Sequence, residues 1–243
     1  MTIRYLFNSG FAIESGKKVI IIDYYMDKAG ERDISNGVVT REYINGFDDV
    51  LILASHSHSD HYNPVILTFL DKAEYVLSDD IAPLIKEGSN NICFIAEGES
   101  VDTKIATIKA YGSTDIGVSF HINFDGLDIF HAGDFNFWHW KEEATEAEVN
   151  SARLMFEEKL EVMEKEMSRP DIAFFPVDPR LGGECGMGAE EFSKRLKPRF
   201  LIPMHFSYAV IEAENAANVL AASGLEVWVP KRRGDYYEIE RRK

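Results

Sequence analysis

The stretch Val50-Leu51-Ile52-Leu53-Ala54-Ser55-His56-Ser57-His58-Ser59-Asp60-His61 decides how the rest of the chain is read. A short apolar run followed at once by a polar loop fits a strand buried on both faces that delivers side chains to a site at its end. Three of the seven histidines and one carboxylate fall within six residues of that loop. If the segment is extended, His56, His58 and Asp60 share one face and His61 turns to the other, an arrangement able to serve two adjacent metal ions. Imidazole nitrogen and carboxylate oxygen are ligands that Zn²⁺, Mn²⁺ and Fe²⁺ accept, and catalytic sites keep one position open for water. A lone histidine is more simply a hydrogen-bonded neighbour of the core. Three at this spacing beside an aspartate point to metal.

Working outward, residues 3–7, 11–14 and 18–23 read as short strands broken by Ser9-Gly10 and Ser15-Gly16 turns, the start of an antiparallel sheet. Residues 25–46 are charged, glycine-bearing and without clear period, apart from a short helix over 40–44. Beyond the histidines, Pro64 suits the first turn of a helix reaching 72. A strand over 74–77, a short helix over 81–86 and strands over 92–95 and 105–110 follow. Asp125-Gly126 joins 117–123 to 127–131 as a hairpin. A long helix spans 144–168, with Val149, Leu160 and Met163 on its apolar face. Strands over 171–177, 201–205, 227–229 and 236–239 then alternate with helices over 189–196 and 211–222. No linker or break in composition interrupts this interleaving, so one α/β domain over residues 1–243 is expected.

The composition bounds what such a site can belong to. A chain of 243 residues with 45% hydrophobic residues can bury a substantial core. Its formal net charge of −15 argues against broad binding to nucleic acid or anionic membrane. The two cysteines, Cys93 and Cys185, stand far apart and form no thiolate cluster. The first residues, Met1-Thr2-Ile3-Arg4-Tyr5, lack the basic and apolar regions of a secretory signal, and no apolar run approaches the ~20 residues needed to span a bilayer. A cytoplasmic protein is the expectation.

Two further clusters carry the same chemistry. His131-Ala132-Gly133-Asp134 closes the hairpin, and its carboxylate has two oxygens able to bridge two cations. Taken alone, the tetrapeptide could equally be a surface turn. Ile202-Pro203-Met204-His205 sets a histidine after another apolar run, which alone reads as a core contact.

Together, His56-x-His58-x-Asp60-His61, His131-Ala-Gly-Asp134 and Pro203-Met-His205 resemble the metallo-β-lactamase-fold hydrolase superfamily, in order and in approximate spacing. Asn8-Ser9-Gly10-Phe11 and Ile22-Asp23-Tyr24 look like that family's opening strands. The resemblance implies a four-layered αβ/βα sandwich with the metals at one edge. It implies one metal on His56 and His58, a second on Asp60, His61 and His205, and Asp134 bridging both, with Asp60 and Asp134 catalytic. Water or hydroxide activated between one or two zinc ions, with Mn or Fe as alternatives, would attack the substrate.

One departure stands out. The family places a further histidine on the first metal where this chain has Gly112, in Ala110-Tyr111-Gly112-Ser113-Thr114-Asp115. Asp115 or His139 could replace it, the first also reading as a loop cap and the second as a stacking residue.

The branch most similar in look contains L-ascorbate-6-phosphate lactonase, which implies hydrolysis of an ester, lactone or phosphoester in a small, anionic molecule. Arg180 is a candidate to grip the anionic group, or else a surface ion pair. Two alternatives stay open: a degenerate member that binds metal or ligand without turnover, and a phosphodiesterase or nuclease. A homo-oligomer is also compatible with the sequence.

Overall fold

The computed structural model describes residues 1–86 and 89–240. The first six strands, β1 (Thr2–Phe7), β2 (Gly10–Ser15), β3 (Lys18–Ile22), β4 (Asp49–Ala54), β5 (Ala73–Ser78) and β6 (Ile92–Ile95), form one sheet. The next seven, β7 (Ser100–Asp102), β8 (Ala106–Gly112), β9 (Val118–Phe124), β10 (Leu127–His131), β11 (Ile172–Pro176), β12 (Phe200–Met204) and β13 (Glu226–Val227), form the other. The last strand, β14 (Tyr236–Glu238), returns to pair antiparallel with β1 at the edge of the first sheet. Each sheet is antiparallel on one side and parallel on the other: β3 to β6 run parallel in the first, β10 to β13 in the second.

The strands that carry the site are apolar on both faces because both faces are covered. On β4, Leu51 and Leu53 join the core between the sheets, while Val50, Ile52 and Ala54 pack outward against Ile44, Ile66 and Phe69. Phe11 meets Phe174 across the two sheets at 4.5 Å between ring centroids. On the outside of the second sheet, Phe130 and Phe175 stack on Phe192. Each such fully buried side chain stabilises the fold by roughly 1.5–3 kcal/mol. The result is an α/β sandwich, two sheets inside flanking helices, as the resemblance implies.

The flanking helices differ between the two sides. Outside the first sheet lie α1 (Arg41–Asn45), capped by Thr40, and 3-10 turns at Pro64–Phe69 and Asp79–Leu84. A helix over 64–72 and a short one over 81–86 are expected from the sequence; both elements are 3-10 instead, the second shifted to Asp79–Leu84 with Pro83 removing a backbone donor inside it. Outside the second sheet lie α2 (Glu146–Glu166), α3 (Met187–Leu196) and α4 (Val210–Ala222). Thr145 and Glu148 close a reciprocal capping box at the start of α2, which sets its boundary two residues inside the expected one. The polar connection before residue 105 contains β7, a three-residue strand too short and too exposed to leave a periodic signal.

Candidate metal centre

The Ser55–Tyr62 segment is a tight loop and not the extended chain that alternation assumes. His61 and Tyr62 both donate their backbone N–H to the His58 carbonyl, at 3.0 and 2.9 Å. That turn brings the His56 and His61 rings to 4.0 Å between centroids, both fully buried. Asp60 therefore goes with His61 and not with His56 and His58. The loop fits under the hairpin because its neighbours are glycine: a Cβ at Gly117 would lie 2.2 Å from the Ser55 carbonyl, and one at Gly133 would lie 2.9 Å from the Ser55 Cβ.

Two groups of donor atoms result. Those of His56, His58 and Asp134 lie within 4.8 Å of one another, and so do those of Asp60, His61 and His205. Asp134, just past β10, stands between the groups: Oδ2 is 3.4 Å from His56 Nε2, and Oδ1 is 3.0 Å from His61 Nε2 and 3.3 Å from His205 Nε2. Asp60 Oδ2 lies 3.4 Å from His205 Nε2 and 3.7 Å from His61 Nε2. His205 follows the end of β12 at φ 63°, a left-handed conformation that turns its ring into the cluster.

The residues considered for the missing histidine fare differently. A side chain at position 112 would run into the Glu97 carboxylate, 2.5 Å from an ideal Cβ, and that carboxylate is held by Lys159. Asp115, on the following loop, places Oδ2 3.9 Å from His58 Nδ1. It stands outside the compact triad but at its open side. His139 belongs to neither group: its Nε2 faces the Glu184 carbonyl at 3.4 Å and its ring packs on Phe137. His131 is likewise structural, with Nε2 on the Ser9 carbonyl at 2.9 Å.

Two carboxylates that no motif singled out hold the cluster in place. Asp23, fully buried, accepts from Ser55 N, Ser55 Oγ and His61 Nδ1, each at 2.7 Å. A serine hydroxyl has one proton, so with Ser55 Oγ–H given to Asp23, its oxygen is left to accept from His56 Nδ1, 3.0 Å away. Asp178 Oδ2 accepts from His205 Nδ1 at 2.9 Å. In sequence both are acids that end an apolar run, Ile20-Ile21-Ile22-Asp23 and Phe174-Phe175-Pro176-Val177-Asp178. That is the same signal that marked His205. Asn8 supports Asp60 with its side-chain amide at 3.2 Å.

The charges are strongly coupled. Burial alone would raise the Asp134 carboxyl, but the neighbouring His61 and His205 hold it well below the ordinary range. Burial likewise opposes a proton on His205, yet Asp134 and the bond to Asp178 push it up to about 9. His61 is raised against its burial by Asp134 and Asp23. Asp60 falls to about 2, its burial outweighed by His205 and His61.

The residues fit a metal on an observation of their own. His61 Nε2, His205 Nε2 and Asp134 Oδ1 are buried and within ion-pair distance, yet none of the three makes a hydrogen bond. The Nδ1 atoms of His61 and His205 are fixed by Asp23 and Asp178, which turns both Nε2 atoms inward, where loss of a proton gives each a lone pair for a metal. Buried donors converging in this way are costly unless a cation joins them.

A family model described as a beta-lactamase superfamily domain matches residues 2–152. The chain belongs to the metallo-β-lactamase superfamily. It is a metal-dependent hydrolase of that superfamily, with the reaction left unspecified by these likenesses. A UPF0173 metal-dependent hydrolase of Pyrococcus furiosus is 27% identical over 221 residues, covering 84% of each chain. One of Thermococcus onnurineus is 24% identical over 220 residues, with 84% coverage of both. Among solved structures, the metallo hydrolase Igni18 of Ignicoccus hospitalis superposes with a TM-score of 0.68 at 18% identity, over 98% of this chain and 99% of that one. Human tRNase Z, short form, gives 0.57 at 11% identity over 99% and 100%. At these identities the structural likeness speaks for the metallo-β-lactamase fold alone. Among the described residues no helix is long and apolar enough to cross a membrane.

Proposed function

We propose that this chain is a cytoplasmic, zinc-dependent hydrolase of an ester, lactone or phosphoester bond in an anionic small molecule, with Mn or Fe able to take the place of Zn. His56, His58 and Asp134, completed by Asp115, would hold one ion; Asp60, His61, His205 and the shared Asp134 would hold the other. A divalent cation held there supplies Lewis acidity, lowering the pKa of a water toward neutrality and offsetting the negative charge that develops on the attacked group.

The observation that carries this reading is the convergence of the three partnerless buried atoms on His61, His205 and Asp134. The chain's own residues do the rest. Asp23 and Asp178 keep His61 and His205 in one tautomer. Asp60, held by Asn8, lies at the solvent side of the cluster, where a carboxylate can orient water and take its proton. Arg180 lines the cleft with Asp60 and His205. Its Nε and one terminal nitrogen bind Asp178, and its guanidinium lies over Trp140 at 5.5 Å. The remaining N–H groups are left to receive an anionic group of the substrate. The −15 charge favours a small molecule over nucleic acid.

The test is metal content per chain together with hydrolysis of a panel of aryl esters, lactones and phosphoesters after reconstitution with Zn²⁺ or Mn²⁺. Two ions per chain and turnover are expected. In Asp134→Ala, kcat/KM should fall at least about a thousandfold, equivalent to ~4 kcal/mol of transition-state stabilisation. A protein that takes up no metal sinks the proposal.

A further inference from the structure

The cleft beside Asp60 and His205 continues past the metal centre. One chamber of about 450 Å³ is lined by Asn8, Asp60, Arg180 and His205; a second of about 370 Å³ is lined by Phe7, Asn36, Lys231, Arg232 and Arg233. Ser207 and Tyr208 line both. Their junction is made by two strained segments, Phe7-Asn8 at φ 139° and 53° and His205 and Ser207 at φ 63° and 47°. Non-glycine residues in this region persist only where the surroundings hold them, and they gather where a site needs a fixed shape.

The second chamber has a distinct chemistry. Arg233 donates to four backbone carbonyls, Leu6, Lys28, Met26 and Gly37, at 2.5–2.9 Å. None of these bonded partners carries a charge, and Asp27 acts on the guanidinium from farther off, so one N–H and the face of a cation remain beside the chamber. Lys231 and Arg232 stand on the rim, paired with Glu214 and Asp235. Helix α4 begins here with Ala209 as its N-cap, which offers no side chain to its free N–H groups. Tyr208 is 82% exposed and leans on Phe7 at 4.8 Å between centroids, one ring face open to solvent. In a chain that is acidic as a whole, three basic side chains gather at this corner beside the rings of Phe7 and Tyr208.

We infer that the second chamber binds the part of the substrate that does not react: a planar ring stacked on Tyr208, bearing a carboxylate or phosphate directed at Arg232 and Arg233. This rests on the hydrolase reading for the first chamber, and it narrows the substrate to a molecule with an acidic ring on one side of the bond to be cut. Binding energy gained at such a distance is available to position the reacting bond.

The experiment is to titrate 4-hydroxybenzoate, 4-hydroxyphenyl phosphate and phenol into the metal-loaded protein by calorimetry, with the Arg232→Glu and Tyr208→Ala variants alongside. Both variants alter exposed side chains, and their thermal melts check the fold. At least one of the anionic probes should bind about tenfold more tightly than phenol, and which of them does so separates a carboxylate from a phosphate preference. That preference should drop at least about fivefold in Arg232→Glu, whereas Tyr208→Ala should weaken all three probes by at least about fivefold, since all carry the ring. Equal binding of all three probes overturns the inference, and so does a preference that survives Arg232→Glu, since the anion would then sit on the metals, or binding of the probes that Tyr208→Ala leaves unchanged. Turnover is not required. Anion preference without hydrolysis of any ester would fault the hydrolase reading and leave the chamber standing, and hydrolysis without preference would do the reverse.

Discussion

His61 and His205 each meet a buried carboxylate at Nδ1, and His56 reaches Asp23 through the Ser55 hydroxyl, whereas His58 is 47% exposed and, among the described residues, has no carboxylate nearer than Asp115 at 3.9 Å. One side of the centre is thus prepared before any ligand arrives, and the other depends on a loop. The difference is one of orientation more than of ligand number. An imidazole fixed by its second nitrogen presents a single lone pair in a single direction, while a free one must be ordered on binding. The buried side should therefore hold its metal more tightly and exchange it more slowly.

Breaking the prepared side should give the largest effect. Asp23 accepts three bonds in a fully buried position, and its removal in Asp23→Ala leaves Ser55 and His61 with donors facing nothing. The expected cost is roughly 3–5 kcal/mol of stability, read by urea unfolding of the metal-free protein, together with loss of both ions because His61 and His56 share this anchor. A variant that unfolds like the parent and keeps two metals would remove Asp23 from the account.

The prepared side also sets a pH dependence. In the metal-free protein His205 titrates near 9, above the 6.5 of an unfolded chain, so its proton contributes stability that is complete below pH 6.5 and is lost as pH rises through about 9. Metal requires the neutral imidazole and must displace that proton. The melting temperature of the metal-free protein should therefore decline between pH 6.5 and 9, and the rise on adding Zn²⁺ should grow over the same window. Melts at constant ionic strength check both, and a zinc-induced rise that shrinks with pH would contradict the assignment.

The same division explains what could be read from the amino-acid sequence. His56, His58, Asp60 and His61 announce themselves because they cluster in one short motif at the end of an apolar run, whereas Asp134 and His205 read alone as a surface turn and a core contact and joined them only through the family resemblance. The sheet order follows less directly, since nothing local to residues 236–238 says that β14 returns to the first strand. Asp23 and Asp178 have no legible role in the sequence although each ends an apolar run, because only the imidazole it meets, 38 and 27 residues away along the chain, separates a ligand-orienting carboxylate from any other strand-end acid. The pairing of His61 with Asp60 failed on alternation for a related reason: the backbone bonds to the His58 carbonyl that curl the loop leave no mark in residue type.

The open side offers the smallest and most selective test. Asp115 is 45% exposed on its loop, so Asp115→Ala should change the stability of the metal-free protein by no more than about 0.5 kcal/mol. If its carboxylate completes the group around His56 and His58, the substitution should weaken one ion about tenfold or more and leave the other untouched. Competitive titration with a chelator separates the two cases, because the buried site acts as an internal reference in the same molecule. Biphasic release in which only the weaker phase moves assigns Asp115 to the first ion. If neither phase moves, His58 and His56 hold that ion with Asp134 alone, and the asymmetry between the two sides is greater than the loop suggests.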